Sequence, residues 1–161
     1  TSFEVGILAT PGTVSSGSYP IEIAKFFPGL KVHQHACVMW VPLVENNEYD
    51  KPGADYFVEQ DIKQLLEQGE NIDTILLACT HYPLLIDKIK AFAPPDTTIL
   101  SQGDIVATSL KNYLERHTAL AERCSKQGRR NFYTTDSVQD FDNHASTFFG
   151  EAVRSEHVEL S

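Results

Sequence analysis

The stretch that decides the fold is Thr74–Leu85, which reads TILLACTHYPLL. It begins with a short apolar run, which is typical of a parallel strand covered by helices on both faces. Cys79, Thr80 and His81 follow at once, and Pro83 occupies a place that the first turn of a helix accepts. We therefore predict a strand, a tight turn and a helix. The thiol would lie at the carboxyl end of the strand, where open parallel sheets bind their ligands.

The chemistry of this turn favours an ionised sulfur. A thiol near a helix N-terminus lies at the positive end of the helix dipole, and the neighbouring imidazole of His81 can accept its proton. The pKa of about 8.5 of a free cysteine can then fall towards neutrality. The turn amides could also hold a carboxylate. The alternative is that Cys79 is a buried, unreactive residue and His81 a helix cap.

The composition limits the classes of protein to which the chain could belong. Its 161 residues are the length of one ordinary domain. It has no apolar run of roughly 18 residues and no basic-then-apolar leader, so we expect neither a membrane partner nor export. The chain has three cysteines, an odd number that argues against a framework of disulfide bonds. This indicates a reducing compartment, and we predict a cytoplasmic protein. The net charge of -9 argues against a nucleic-acid partner, because that binding depends on clustered lysine and arginine.

Strands and helices are predicted to alternate along the chain. This alternation indicates an α/β fold with a mostly parallel sheet flanked by helices. One long helix is expected to begin at Ile105 and to end near Cys124, with Leu110 and Tyr113 on an apolar stripe. Besides the central strand at 75–78, strands are predicted at 3–10, 31–36, 97–100, 131–135 and 156–160, and further helices around 21–27, 58–66, 85–92 and 138–149.

Other polar residues are predicted to lie where segments end. Thr10 ends the first strand and Thr13 follows a Pro-Gly turn at a helix start, so their hydroxyls could receive a carboxylate; the alternative is that they are ordinary helix caps. Glu45 follows the short apolar segment 39–44, at an expected strand end. Its alternative interpretation is a solvated loop acid.

A metal site is a weaker possibility. His33, His35 and Cys37 alternate along a predicted strand, so their side chains would share one face. Three ligands without a fourth are a weak indication of a zinc site.

The chain contains the motifs ACTHYPLL at 78–85, GILATPGTV at 6–14, VPLVE at 41–45 and FYTT at 132–135. Together these four motifs resemble the glutamate racemase family. They occur in the family's order and spread over most of the chain. The resemblance implies a cofactor-independent isomerase that supplies D-glutamate for peptidoglycan in the bacterial cytoplasm. It also implies two similar α/β lobes that hold L- or D-glutamate between them, in proteins that commonly dimerise.

The resemblance also implies roles for individual residues. Cys79 would be one of two catalytic thiols, the one that the second lobe contributes. Thr80 and His81 would contact the substrate, His81 would also tune the thiol, and Glu45 would orient His81.

Three further residues match positions of the family that take no part in proton transfer. Thr10 and Thr13 match hydroxyls that line the substrate pocket. Cys37 matches a cysteine that is not catalytic, which weakens the metal interpretation.

Only half of the required chemistry is expected in this chain. Inverting an α-carbon without pyridoxal phosphate needs one acid/base group on each face of the carbon, and the family's first thiol motif is absent. We therefore expect the carboxyl-terminal portion of a glutamate racemase, inactive by itself. Residues 1–104 would form the second lobe. Residues 105–161 would pack back onto the missing N-terminal lobe, or two copies of the chain would pair.

Two alternatives of other kinds remain. The first is a related racemase acting on aspartate or hydantoins, or a maleate-type isomerase, because these also use thiols at strand ends. The second is a non-catalytic binding or metal module built on the His33, His35 and Cys37 face.

Overall fold

The computed structural model describes residues 3–160. These divide into two compact units, of which the first ends at Thr108 and the second begins at Ser109. Four parallel strands form the sheet of the first unit, in the spatial order β2-β1-β3-β4. This sheet with its flanking helices confirms the predicted α/β fold. The strands are β1 (Glu4–Ala9), β2 (Lys31–Ala36), β3 (Thr74–Leu77) and β4 (Thr98–Ser101).

The sheet is built around β1, whose six residues are all buried. A parallel strand with two strand neighbours and helices over its faces excludes water from both sides, which explains its apolar composition. Gly6 lies where a helix approaches this strand most closely. A Cβ atom added there would lie 2.7 Å from Leu65 Cδ2. The helix can pack this closely because glycine has no side chain.

Helices connect the strands, as the parallel arrangement requires. The longest in the first unit, α4, turns Ala54, Val58, Ile62 and Leu65 towards the core. No helix in residues 3–160 is both long and apolar enough to cross a bilayer. The helices that begin in this unit are α1 (Pro11–Ser16), α2 (Ser18–Phe26), α3 (Trp40–Glu45), α4 (Pro52–Leu66), α5 (Ile86–Phe92) and α6 (Gln102–Arg116), and a 3₁₀ turn, Tyr82–Leu85, precedes α5.

The first crossover differs from its prediction in where its helices begin. Helix α1 starts at Pro11 rather than at Thr13, because proline is well suited to the first helical position. The helical stretch is then interrupted at Gly17, which has a left-handed φ of 61° and separates α1 from α2.

The segment before Glu45 was predicted wrongly. Residues 40–45 form α3 and not the end of a strand, so Glu45 is the last residue of a helix. Trp40, Leu43 and Val44 are buried together at helical spacing. An apolar run this short has no periodicity that separates a strand from a helix, and the packing of Trp40 decides the outcome.

The predicted long helix is also shorter than expected. Helix α6 ends at Arg116, and His117 adopts a non-helical conformation before α7 (Thr118–Arg123) begins. The His117 ring donates a hydrogen bond from Nδ1 to the carbonyl of Tyr113, 2.8 Å away, and so satisfies a carbonyl at the helix end. Leu110 and Tyr113 of the apolar stripe are exposed.

The second unit contains a small parallel β-α-β arrangement. Its strands β5 (Phe132–Thr134) and β6 (Ser155–His157) pair in parallel and are joined by α8 (Val138–Phe149). Ser137 caps α8 by accepting a hydrogen bond from the Asp140 amide, 3.3 Å away. The helix ends at Gly150, whose φ of 76° is left-handed.

An ion pair joins the amino ends of β1 and β2 and makes the stability of the sheet depend on pH. Lys31 Nζ donates a hydrogen bond to Glu4 Oε1, 2.7 Å away, and this bond holds the pKa of the buried Glu4 carboxyl below its ordinary value. A depressed carboxyl pKa contributes stability above the unfolded-state pKa of about 4.3. The contribution is lost as the pH falls through the lower folded-state pKa.

We expect Lys31→Met to lower the stability of the first unit at neutral pH, because it removes the donor to Glu4. The difference from the unchanged chain should shrink as the pH falls and Glu4 binds a proton in both states. Urea unfolding at several pH values would measure it, with Lys25→Met as the control, since the Lys25 and Glu22 side chains are both exposed. A difference that stays constant into the acid range would contradict this account.

Candidate active site

The candidate site lies at the carboxyl edge of the four-stranded sheet. Backbone hydrogen bonds to β1 continue past the ends of β2 and β3: the Cys37 amide donates to Ala9 and the Ala78 amide to Leu8, each over 2.9 Å. The residues that leave β1, β2 and β3 are therefore neighbours at this edge. Thr10 is the first residue beyond β1, and Cys79 follows Ala78 beyond β3.

Cys79 has an imidazole beside it. Its side chain is half-buried, and its Sγ lies 3.8 Å from Nδ1 of His81. The tight turn after β3 brings the two together, because His81 directly precedes the 3₁₀ turn that contains Pro83. The thiol and the ring are thus within reach of a proton transfer in which His81 accepts and Cys79 donates.

Glu45 approaches the other nitrogen of the same ring. Its Oε1 lies 3.5 Å from Nε2 of His81, so the imidazole has a thiol on one side and a carboxylate on the other. We call these three side chains, Cys79, His81 and Glu45, the proton-transfer row. Glu45 reaches this place from the end of α3, not from a strand end. A carboxylate in this position favours the His81 tautomer that has its proton on Nε2 and leaves Nδ1 free to accept.

The three threonines that the sequence singled out lie at the same edge but take no part in this row. Thr10 and Thr13 contact each other, with their Oγ1 atoms 3.0 Å apart across the start of α1. Thr10 occupies the N-cap position of α1, but its side chain makes no capping hydrogen bond. Thr80 is exposed between Cys79 and His81.

Two buried residues next to the proton-transfer row in sequence or packing were not predicted as part of the site. Tyr82 and Trp40 are both completely buried, and their rings pack edge to face with centroids 4.8 Å apart. The Tyr82 hydroxyl donates to the carbonyl of Cys37, 3.3 Å away. The only indication in the sequence was that Tyr82 adjoins His81, because a buried tyrosine needs a partner that spacing does not reveal.

Cys37 is a structural cysteine by its surroundings. Its side chain is 1% exposed, and burial raises the pKa of its thiol far above the ordinary value. A thiol in this state is not a proton carrier at neutral pH.

The histidines of the alternative metal face have other partners. His33 Nε2 lies 3.5 Å from Glu4 Oε2, and His35 Nε2 lies 2.8 Å from Asp61 Oδ1. Within residues 3–160, no group of three or more His, Cys, Asp or Glu side chains is arranged to hold a metal ion.

Comparison with known proteins finds glutamate racemases over nearly the whole chain. No family model matches it. A glutamate racemase from Streptococcus mutans serotype c is 35% identical over 159 residues, which are 99% of this chain and 59% of that protein. The chain therefore spans well under two thirds of the length of this curated relative.

Solved structures agree with the sequence comparison. The crystal structure of a glutamate racemase isoform from Bacillus anthracis superposes with a TM-score of 0.88 at 33% identity, covering 99% of this chain and 59% of that one. A Francisella tularensis glutamate racemase, solved in complex with D-glutamate, has a TM-score of 0.81 at 23% identity, covers 98% and 57%, and supports the fold alone. The motifs, the relatives and the fold together confirm that this chain resembles, over almost its entire length, part of a glutamate racemase.

Proposed function

We propose that this chain carries one half of the active site of a cofactor-independent glutamate racemase and corresponds to its carboxyl-terminal portion. The observation that carries the proposal is the row formed by Cys79, His81 and Glu45 at the carboxyl edge of the parallel sheet. Two relatives above 30% identity, from Streptococcus mutans and Bacillus anthracis, are glutamate racemases. The product D-glutamate would serve peptidoglycan synthesis in the cytoplasm.

Cys79 is the proton-transfer group in this proposal. Its thiolate removes the α-proton of glutamate from one face, which gives a thiol and a carbanion stabilised by the neighbouring carboxylate. A second acid then returns a proton to the opposite face, and the configuration is inverted. In the reverse direction the Cys79 thiol donates and becomes a thiolate. After a forward turnover, Cys79 loses its new proton to water and the second acid regains one from water, which restores both groups.

His81 and Glu45 prepare the thiol for this step. His81 accepts the Cys79 proton at Nδ1, and Glu45 stabilises the resulting imidazolium from the side of Nε2. Because Glu45 is exposed and its oxygen is 3.5 Å away, its contribution is orientation and modest electrostatics rather than a strong buried ion pair.

Hydroxyl groups would hold the substrate. Thr10, Thr13 and Thr80 lie shortly after the ends of β1 and β3, and Thr80 is exposed and so accessible to a ligand. Hydroxyls and backbone amides suit the two carboxylates of glutamate in a chain whose net charge is -9.

The second acid is proposed to come from a lobe that this chain does not contain. The relatives are much longer than the segment they share with it, which leaves room for such a lobe. Residues 105–161 would pack on that lobe, or on a second copy of the chain. A parallel pair of three-residue strands, β5 and β6, buries too little to be stable alone, so further strands beside it are expected.

Alkylation of the three cysteines tests the reactive thiol. We expect iodoacetamide at neutral pH to modify Cys79 about ten-fold or more faster than Cys37, and also faster than the exposed Cys124, because Cys79 has an imidazole 3.8 Å away. Peptide mass spectrometry reports all three rates in one sample. L-Glutamate should slow the modification of Cys79 alone.

Cys124 is the internal control for exposure and Cys37 the control for unfolding. If Cys79 reacts no faster than either of them at neutral pH, the activated-thiol assignment is wrong.

A further inference from the structure

We propose that Tyr82 is a positioning residue that holds the His81 ring between Cys79 and Glu45. The inference rests on the function proposed above and adds a residue to its machinery. The hydroxyl of Tyr82 bonds a backbone carbonyl, that of Cys37, rather than a reacting atom, so we assign it to positioning: it acts through His81.

The hydroxyl of Tyr82 anchors the turn to the end of β2. It donates a hydrogen bond to the carbonyl of Cys37, 3.3 Å away, in a buried environment. The amide of Cys37 in turn donates to the carbonyl of Ala9 over 2.9 Å. The residue next to His81 is therefore tied to the backbone at the ends of both β1 and β2.

The ring of Tyr82 anchors the same turn to α3. It packs against Trp40 with centroids 4.8 Å apart and planes at 61°, an edge-to-face geometry that aromatic pairs prefer. Trp40 is the first residue of α3, and Glu45 is the last. One buried side chain thus connects the turn that carries Cys79 and His81 with the short helix that carries Glu45.

These two anchors determine the spacing of the proton-transfer row. The His81 nitrogens lie 3.8 Å from Cys79 and 3.5 Å from Glu45, and a small rotation of the turn would lengthen at least one of these separations. Burial raises the pKa of Tyr82, so its hydroxyl stays protonated and donates throughout the working pH range.

The Tyr82→Phe variant separates positioning from simple packing. It keeps the ring against Trp40 and removes only the hydroxyl, so the fold should persist. We expect the alkylation rate of Cys79 at neutral pH to fall about five-fold, the effect of one typical hydrogen bond. Its pH-rate profile should move towards that of His81→Ala, while Cys37 stays protected from the reagent.

Two further variants sharpen the test. Tyr56→Phe removes the hydroxyl of an exposed tyrosine in the same unit and should leave the Cys79 profile unchanged. The double variant Tyr82→Phe with His81→Ala should react like His81→Ala alone, because a residue that acts through His81 has no further effect once the imidazole is gone.

Three results would overturn the proposal. The first is a Cys79 profile in Tyr82→Phe that superposes on that of the unchanged chain. The second is rapid labelling of Cys37 in Tyr82→Phe, which would indicate lost packing. The third is a double variant slower than His81→Ala by the full Tyr82→Phe effect. A failure of the racemase function would appear elsewhere, in the absence of protection by L-glutamate in the unchanged chain.

Discussion

Incubation of this chain with L-glutamate is expected to yield no D-glutamate. Inversion requires a proton donor on the face opposite Cys79, and each positioned acid/base group typically contributes about 10²–10⁴-fold to a rate. Within the first unit the other cysteine is Cys37, which is buried and has a raised thiol pKa. It is therefore unsuited to be the second donor, so the amount of D-glutamate should not rise above the background of the assay.

Chiral chromatography of the reaction mixture would measure the conversion, with the Streptococcus mutans relative as the active standard. In deuterated water, one thiol could at most exchange the α-hydrogen with retention of configuration. Cys79→Ala is the matched control and should abolish any such exchange. Production of D-glutamate by the chain alone, above the level of Cys79→Ala, would show that the half-site interpretation is wrong.

Replacing Trp40 by alanine is expected to cause the largest loss of stability of any single change considered, about 3–5 kcal/mol. Trp40 is completely buried, and its removal would leave a cavity beside Tyr82 and next to Leu43 and Val44 of α3. Since the free energy of unfolding of a whole domain is only about 5–15 kcal/mol, the first unit should become marginal.

Urea unfolding followed by circular dichroism would measure this change, because Trp40 is the only tryptophan and its fluorescence is lost with the substitution. The control is Trp40→Phe. It keeps an aromatic ring against Tyr82 and also removes an indole N–H that has no hydrogen-bond partner within residues 3–160. A cost below about 1 kcal/mol for Trp40→Ala would mean that α3 does not depend on this packing.

The predictions from sequence succeeded where local chemistry and long-range packing favour the same structure. The apolar run that ends before Cys79 is a strand, and Pro83 lies in the first turn after it, as expected. They failed where a short segment has no periodicity of its own. Glu45 was placed at a strand end, although Trp40 packs its segment as a helix against Tyr82.

The sequence by itself determined the parallel α/β fold, the position of Cys79 at a strand end beside His81, and the resemblance to glutamate racemases. Each of these depends on short motifs and segments whose own residues are close together along the chain, so the sequence pattern contains the necessary information. Only the tertiary structure decided that Glu45 approaches His81 from a helix, that Cys37 is sealed in the core, and that Tyr82 links the two segments. Those contacts join residues dozens of positions apart, which meet only when the strands and helices pack, so their spacing along the chain does not reveal them.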